Sequence, residues 1–117
     1  IADGNFPVMS MGKNAQIIRM DGHGVPEILD AILRVFPLDT YIEKPVNLME
    51  VMPGDDVQTP IWDVYKKTVE KYDERGKNAI GEIERFKFYE ETKTAYAVIA
   101  TSEKALYANI MLQKGVV

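Results

Sequence analysis

Apolar positions along the chain fall into short blocks that switch between a period of two and a helical period. The run Ala15 to Met20 is rich in β-branched residues and lies between Gly12 and the Asp21-Gly22 turn signal, so it predicts a strand. A helix should follow. Pro26 suits a first turn, Ile28, Leu29, Ile32, Leu33 and Phe36 recur at helical spacing, and Pro37 forbids continuation. Asn47 to Met52, bounded by Pro45 and Pro53-Gly54, predicts a second strand. Thr59 should cap another helix, with Pro60 in its first turn and Ile61, Tyr65, Val69 and Tyr72 as its apolar stripe; Gly76 is placed to end it. Near Glu82 the pattern alternates, then turns helical around Phe88 to Thr92. Ala95 to Thr101 and Tyr107 to Leu112 read as two closing strands. Strands interleaved with helices predict an α/β fold, one domain over residues 1–117, with a mixed sheet flanked by helices.

Composition narrows the function classes. The 117 residues are 46% hydrophobic and 27% charged, with a net charge of -4, so no basic excess exists to hold nucleic acid or an anionic membrane. Neither a signal peptide nor a spanning apolar run is visible, which makes the cytoplasm the expected compartment. Cysteine is absent, excluding thiolate nucleophiles, thiolate metal sites and disulfides. The chain opens on Ile1-Ala2-Asp3-Gly4, with no initiator Met and on residues that read as the end of a strand, so an upstream segment is expected.

Most chemical constellations are missing. The single imidazole, His23, stands in Asp21-Gly22-His23-Gly24, and one His with one Asp at i-2 is not a metal-ligand set; an exposed loop His is expected. Gly22-x-Gly24 lacks the remaining glycine of a dinucleotide fingerprint and the lysine of a P-loop. Ser10 and Ser102 have no elbow-like surroundings. The acidic pairs Asp55-Asp56 and Glu90-Glu91 read as solvated, because sequence neighbours on a regular element point apart. Three features remain. Asp3, beside Gly4, Asn5 and Pro7 at a strand end, is either a turn Asp or a carboxylate in a sheet's carboxyl-end crevice. Arg85, between Glu84 and Phe86, is either an ordinary ion-pair partner or a positive fork among aromatics. Tyr107 and Asn109, two apart on the expected last strand, would share a face. Carboxylate, guanidinium, phenol and carboxamide together are a hydroxyl-reading set suited to a carbohydrate.

Five ordered blocks then carry a resemblance: Ser10-Met11-Gly12; Gln16-Ile17-Ile18-Arg19-x-Asp21-Gly22; Pro37-Leu38-Asp39-x-Tyr41; Arg85-Phe86-x-Phe88-Tyr89-Glu90; and Tyr107-x-Asn109-Ile110 with Lys114-Gly115-Val116. From Asp3 to the C-terminus the chain resembles the L-fucose mutarotase and D-ribose pyranase family. Arg85 and the Phe-Tyr-Glu block look more like the fucose branch, since ribose pyranases tend to carry His where Arg85 stands. The resemblance implies a ring-forming homo-oligomer and a cofactor-free, metal-free enzyme that opens and recloses the ring of a free sugar, most simply L-fucose. Asp3, Arg85, Tyr107, Ala108 through its backbone, and Asn109 match sugar-holding positions, and Asp3 and Tyr107 are the implied catalytic pair. The family's proton-donating histidine belongs to a Gly-His-Gly segment upstream of Ile1, and His23 does not align with it. Two departures bear on substrate preference: Asn5 stands where fucose relatives often have His, and Ser102 where a Gly precedes the glutamate. The rival readings are a D-ribose pyranase and a sugar-binding subunit without turnover.

Overall fold

A computed structural model describes residues 1–116. The apolar blocks form β1 (Gln16–Met20), β2 (Val46–Met49), β3 (Ile80–Ile83), β4 (Ala97–Thr101) and β5 (Ile110–Leu112). Helix α1 (Val8–Met11) precedes β1, and α2 (Val25–Leu33), α3 (Pro60–Tyr72) and α4 (Arg85–Thr92) lie between successive strands from β1 to β4, with a 3₁₀ turn at Gly76–Ala79. The expected α/β architecture with a mixed sheet is present. β1 pairs in parallel with β4, from Gln16 opposite Ala97 to Met20 opposite Thr101. β2 is the centre of a second group, parallel to β3 and antiparallel to β5.

Ile1 and Ala2 join the two groups. Ala2 bridges to Ala100 in parallel, while Ile1 and Ile110 exchange both backbone hydrogen bonds, at 2.7 and 3.0 Å. The first residues therefore run through the middle of the strand array, which places Asp3 where they leave it. β2 shows why its block is apolar without a break: Val46 and Leu48 pack with α2 and α3, whereas Met49 packs with Ala2, Phe6, Phe88 and Val98 on the other side. A strand buried on both faces needs no polar alternation.

Boundaries differ from the sequence reading in instructive ways. α2 stops at Leu33, not Phe36: Arg34 keeps helical dihedrals, but Pro37 disfavours the helical region for Phe36 and has no N–H to offer the Leu33 carbonyl. α3 stops at Tyr72 with Asp73 extended, and Thr59 makes no side-chain cap. Gly76 instead opens the 3₁₀ turn, at φ +55°. The helical pattern near Phe88 begins at Arg85, where the Glu84 carboxylate accepts the Phe86 and Lys87 amides. α1 is an added element that four residues were too few to announce. The largest correction concerns Tyr107 to Leu112: only Ile110–Leu112 is strand. Tyr107 lies in a turn at φ 55°, so strand alternation is not what relates it to Asn109.

Candidate active site

Asp3 is buried, 7% exposed, just past the residues that join the strand groups. Its amide donates to Asn109 Oδ1 at 2.8 Å, and its carboxylate Oδ1 accepts the Asn5 amide at 3.1 Å. Asn109 is equally buried, at 6%, because it immediately precedes β5. Burial holds the Asp3 carboxyl above the usual carboxylate range, and the nearby Glu103 charge adds to this. The hydrogen bond from the Asn5 amide works in the opposite direction, as do the nearby amides of Ala108 and Phe6. Desolvation, which penalises the charged form, is the largest of these effects and sets the direction. Ala108 is thus brought to Asp3 through its backbone.

The neighbouring turn is held from several sides. Buried Tyr65 of α3 donates its hydroxyl to the Ala108 carbonyl at 2.7 Å, and Trp62 Nε1 donates to the Tyr107 carbonyl at 2.8 Å. Among the described residues Tyr107 is the one non-glycine with positive φ. An aromatic residue in that region costs on the order of 1–3 kcal/mol, so the surrounding contacts must over-determine it. Its phenol oxygen accepts the Met52 amide at 3.2 Å and donates to Asp55 Oδ2 at 3.0 Å. The Arg85 guanidinium lies 5.9 Å from the ring centroid, within cation–π reach. Arg85 Nε is buried with no hydrogen-bond partner among the described residues, and Arg85 forms no ion pair there. Its ordinary salt-bridge reading is not what the fold presents.

Glu103 ties this turn to α2. One oxygen of its carboxylate accepts the Val25 amide and the other the Lys104 and Ala105 amides, while its carbonyl accepts the Gly4 amide beside Asp3. The five residues singled out from the sequence therefore form two contacting groups: Asp3 with Asn109 and Ala108, and Tyr107 with Arg85. They follow one another along the same turn. Asp3 borders a surface concavity of about 480 Å³ with Pro7, Arg19 and Thr101, and Asn109 borders another of about 520 Å³ with Ile1, Phe88 and Ile110. Arg85 and Tyr107 border neither of these two. His23 is an exposed loop residue, its Nδ1 2.9 Å from Glu27 Oε1. Among the described residues no three His, Asp or Glu side chains gather as a metal cage, and no helix is long and apolar enough to cross a membrane.

Asp55 and Asp56 are both exposed, as the sequence reading has them, and Asp55 in addition accepts the Tyr107 hydroxyl. Tyr65, Trp62 and Glu103 also escaped the sequence reading as supports of the turn. Tyr65 and Trp62 carry no signal beyond their helical stripe, and an acidic residue shortly after a strand is too common to mark Glu103.

The chain is similar to known proteins across its whole length. Human fucose mutarotase is 45% identical over 120 residues, covering 99% of this chain and 77% of the human one. The crystal structure of FucU from Bifidobacterium longum is 66% identical with a TM-score of 0.98, covering 100% of this chain and 82% of that one. A fucose mutarotase from Streptococcus pneumoniae, solved in complex with L-fucose, is 43% identical with a TM-score of 0.91, covering 99% of this chain and 80% of that one. The family model matches residues 1–117, and the chain belongs to the RbsD / FucU transport protein family.

Proposed function

We propose that this chain is a mutarotase that interconverts the anomers of L-fucose by acid–base opening and reclosure of the sugar ring. The observation that carries it is the contiguous run of Tyr107, Ala108 and Asn109 against Asp3, with Arg85 over the phenol. The naming of close relatives as fucose mutarotases, one solved with L-fucose, supports the choice of sugar.

A hemiacetal interconverts when a base takes the proton of the anomeric hydroxyl, an acid protonates the ring oxygen, and the bond between that oxygen and the anomeric carbon breaks. The open aldehyde turns about its bond to the next carbon. The ring oxygen then attacks the other face of the carbonyl, and both protons return. No electron changes hands, so no redox group is needed. Asp3 is the base in this reading: a carboxyl held above its usual range by burial is a better proton acceptor once ionised. Asn109 holds the Asp3 backbone, and its amide nitrogen is free of that bond to meet a hydroxyl. Tyr107 and Arg85 orient the sugar, the Arg85 guanidinium standing over the phenol ring. The resemblance assigns the acid to a histidine in a Gly-His-Gly segment upstream of Ile1. The same reading makes the protein a ring-shaped homo-oligomer of the cytoplasm, each subunit a single domain.

Exchange NMR between the α and β anomers of L-fucose tests the proposal, because mutarotation is invisible to end-point assays. The full-length protein should accelerate exchange above the buffer rate for L-fucose and less for D-ribose. Preferential acceleration for D-ribose would favour a pyranase. Binding of L-fucose without acceleration would leave a sugar-binding subunit.

A further inference from the structure

We propose that Asp55 is a positioning residue of the sugar site, acting through the Tyr107 phenol; the inference rests on the reading of Tyr107 as a sugar-contacting group. Its basis is the turn Met52-Pro53-Gly54-Asp55. The Asp55 amide donates to the Met52 carbonyl at 3.1 Å, and Gly54 has φ +85°. With Pro at the second position and a left-handed Gly at the third, this is a type II turn, whose backbone the dipeptide favours in advance. Asp55 is stiffened further, since its Oδ1 accepts the Val57 amide at 3.1 Å.

That turn presents two complementary groups to one oxygen. Met52 offers an N–H and Asp55 Oδ2 offers an acceptor, at 3.2 and 3.0 Å from the Tyr107 hydroxyl. A phenol has one hydrogen and two acceptor positions. With its hydrogen committed to Asp55 and one acceptor position taken by Met52, a single acceptor position is left, at a fixed direction. Tyr107 then meets the sugar as an acceptor of a hydroxyl hydrogen. Without Asp55 the phenol hydrogen is free to turn toward the sugar, where it competes with the hydroxyl it should receive. The device is economical in sequence, because the left-handed backbone at Tyr107 aims the ring and the Pro-Gly turn aims its hydroxyl.

The test compares Asp55→Ala, Asp55→Asn, Tyr107→Phe and the double variant Asp55→Ala/Tyr107→Phe, with kcat and KM for L-fucose taken from exchange NMR at varied sugar concentration and thermal melts confirming folding. Asp55→Ala should raise KM about tenfold with kcat within about threefold, the split expected when a contact made equally in the ground and transition states is lost. Asp55→Asn, whose carboxamide oxygen can take the phenol hydrogen in place of Oδ2 while giving up the Val57 amide bond, should recover part of that loss. In the Tyr107→Phe background Asp55→Ala should cost nothing further, since the group it orients is gone. An equal cost in both backgrounds, or no recovery with Asn, overturns the role of Asp55 while leaving the sugar site intact. Unchanged exchange in Tyr107→Phe alone removes the site reading and this inference with it.

Discussion

Asp3→Asn is the perturbation that separates a catalytic base from a binding group. The backbone bond from the Asp3 amide to Asn109 Oδ1 survives the change, and the carboxamide oxygen can still accept the Asn5 amide. Shape and these two bonds are kept while the charge and the basic oxygen are lost. If Asp3 takes the anomeric hydroxyl proton, kcat should fall roughly 10²–10⁴-fold, the range for one positioned proton-transfer group. If it only holds a hydroxyl, the loss should be on the order of tenfold and lie in KM. The pH behaviour gives an independent sign. The folded carboxyl is raised above its unfolded value by desolvation, so between those two values the folded state binds more protons than the unfolded. Stability from this group is greatest below the unfolded value and falls as pH rises through the folded one. Ionised Asp3 therefore costs stability at neutral pH, and Asp3→Asn should melt higher than the parent at pH 7 with the gap closing below pH 4. Activity runs the opposite way, rising with pH as Asp3 ionises, along a limb centred above the usual carboxylate range. Exchange NMR and thermal melts across pH 3.5–8 provide both readouts. A variant that retains exchange within about threefold, or keeps the acid limb unchanged, refutes the assignment of Asp3 as base.

Three further outcomes follow from the same geometry. Tyr65→Phe leaves the buried Ala108 carbonyl without its hydrogen-bond donor, so it should destabilise the fold by about 1–3 kcal/mol in a denaturant titration and raise KM for L-fucose by loosening the 107–109 turn. His23→Asn should leave exchange nearly unchanged, since the imidazole is exposed and pairs with Glu27; a large loss would make His23 the acid and displace the upstream histidine. Light scattering should find a stable oligomer at micromolar concentration, as expected for a chain whose edge strand β1 leaves Ile17 and Ile18 exposed. A monomer there that still exchanges L-fucose would show that the site is complete within one subunit.

Much of the architecture was legible because it is written in local pattern. Strand blocks bounded by Gly and Pro, and the stripe Ile61, Tyr65, Val69, appear in the fold as elements because each buries its apolar positions at the period its backbone imposes. Element ends were less legible: Thr59 makes no cap and Gly76 opens a turn beyond the helix, because caps depend on where the next segment must go. The candidate site was legible as residue types, since Asp3, Arg85, Tyr107 and Asn109 carry hydroxyl-reading chemistry wherever they sit. How they meet was decided by tertiary structure alone. Tyr107 and Asn109 are not alternate residues of a strand; a left-handed backbone, held by Trp62 and Tyr65 from α3, turns the chain between them. The contact between Asp55 and Tyr107 was not legible because no sequence rule links a carboxylate to a phenol 52 positions away. Contacts of that separation are made by strand pairing and helix packing, which bring together segments whose sequences say nothing of one another.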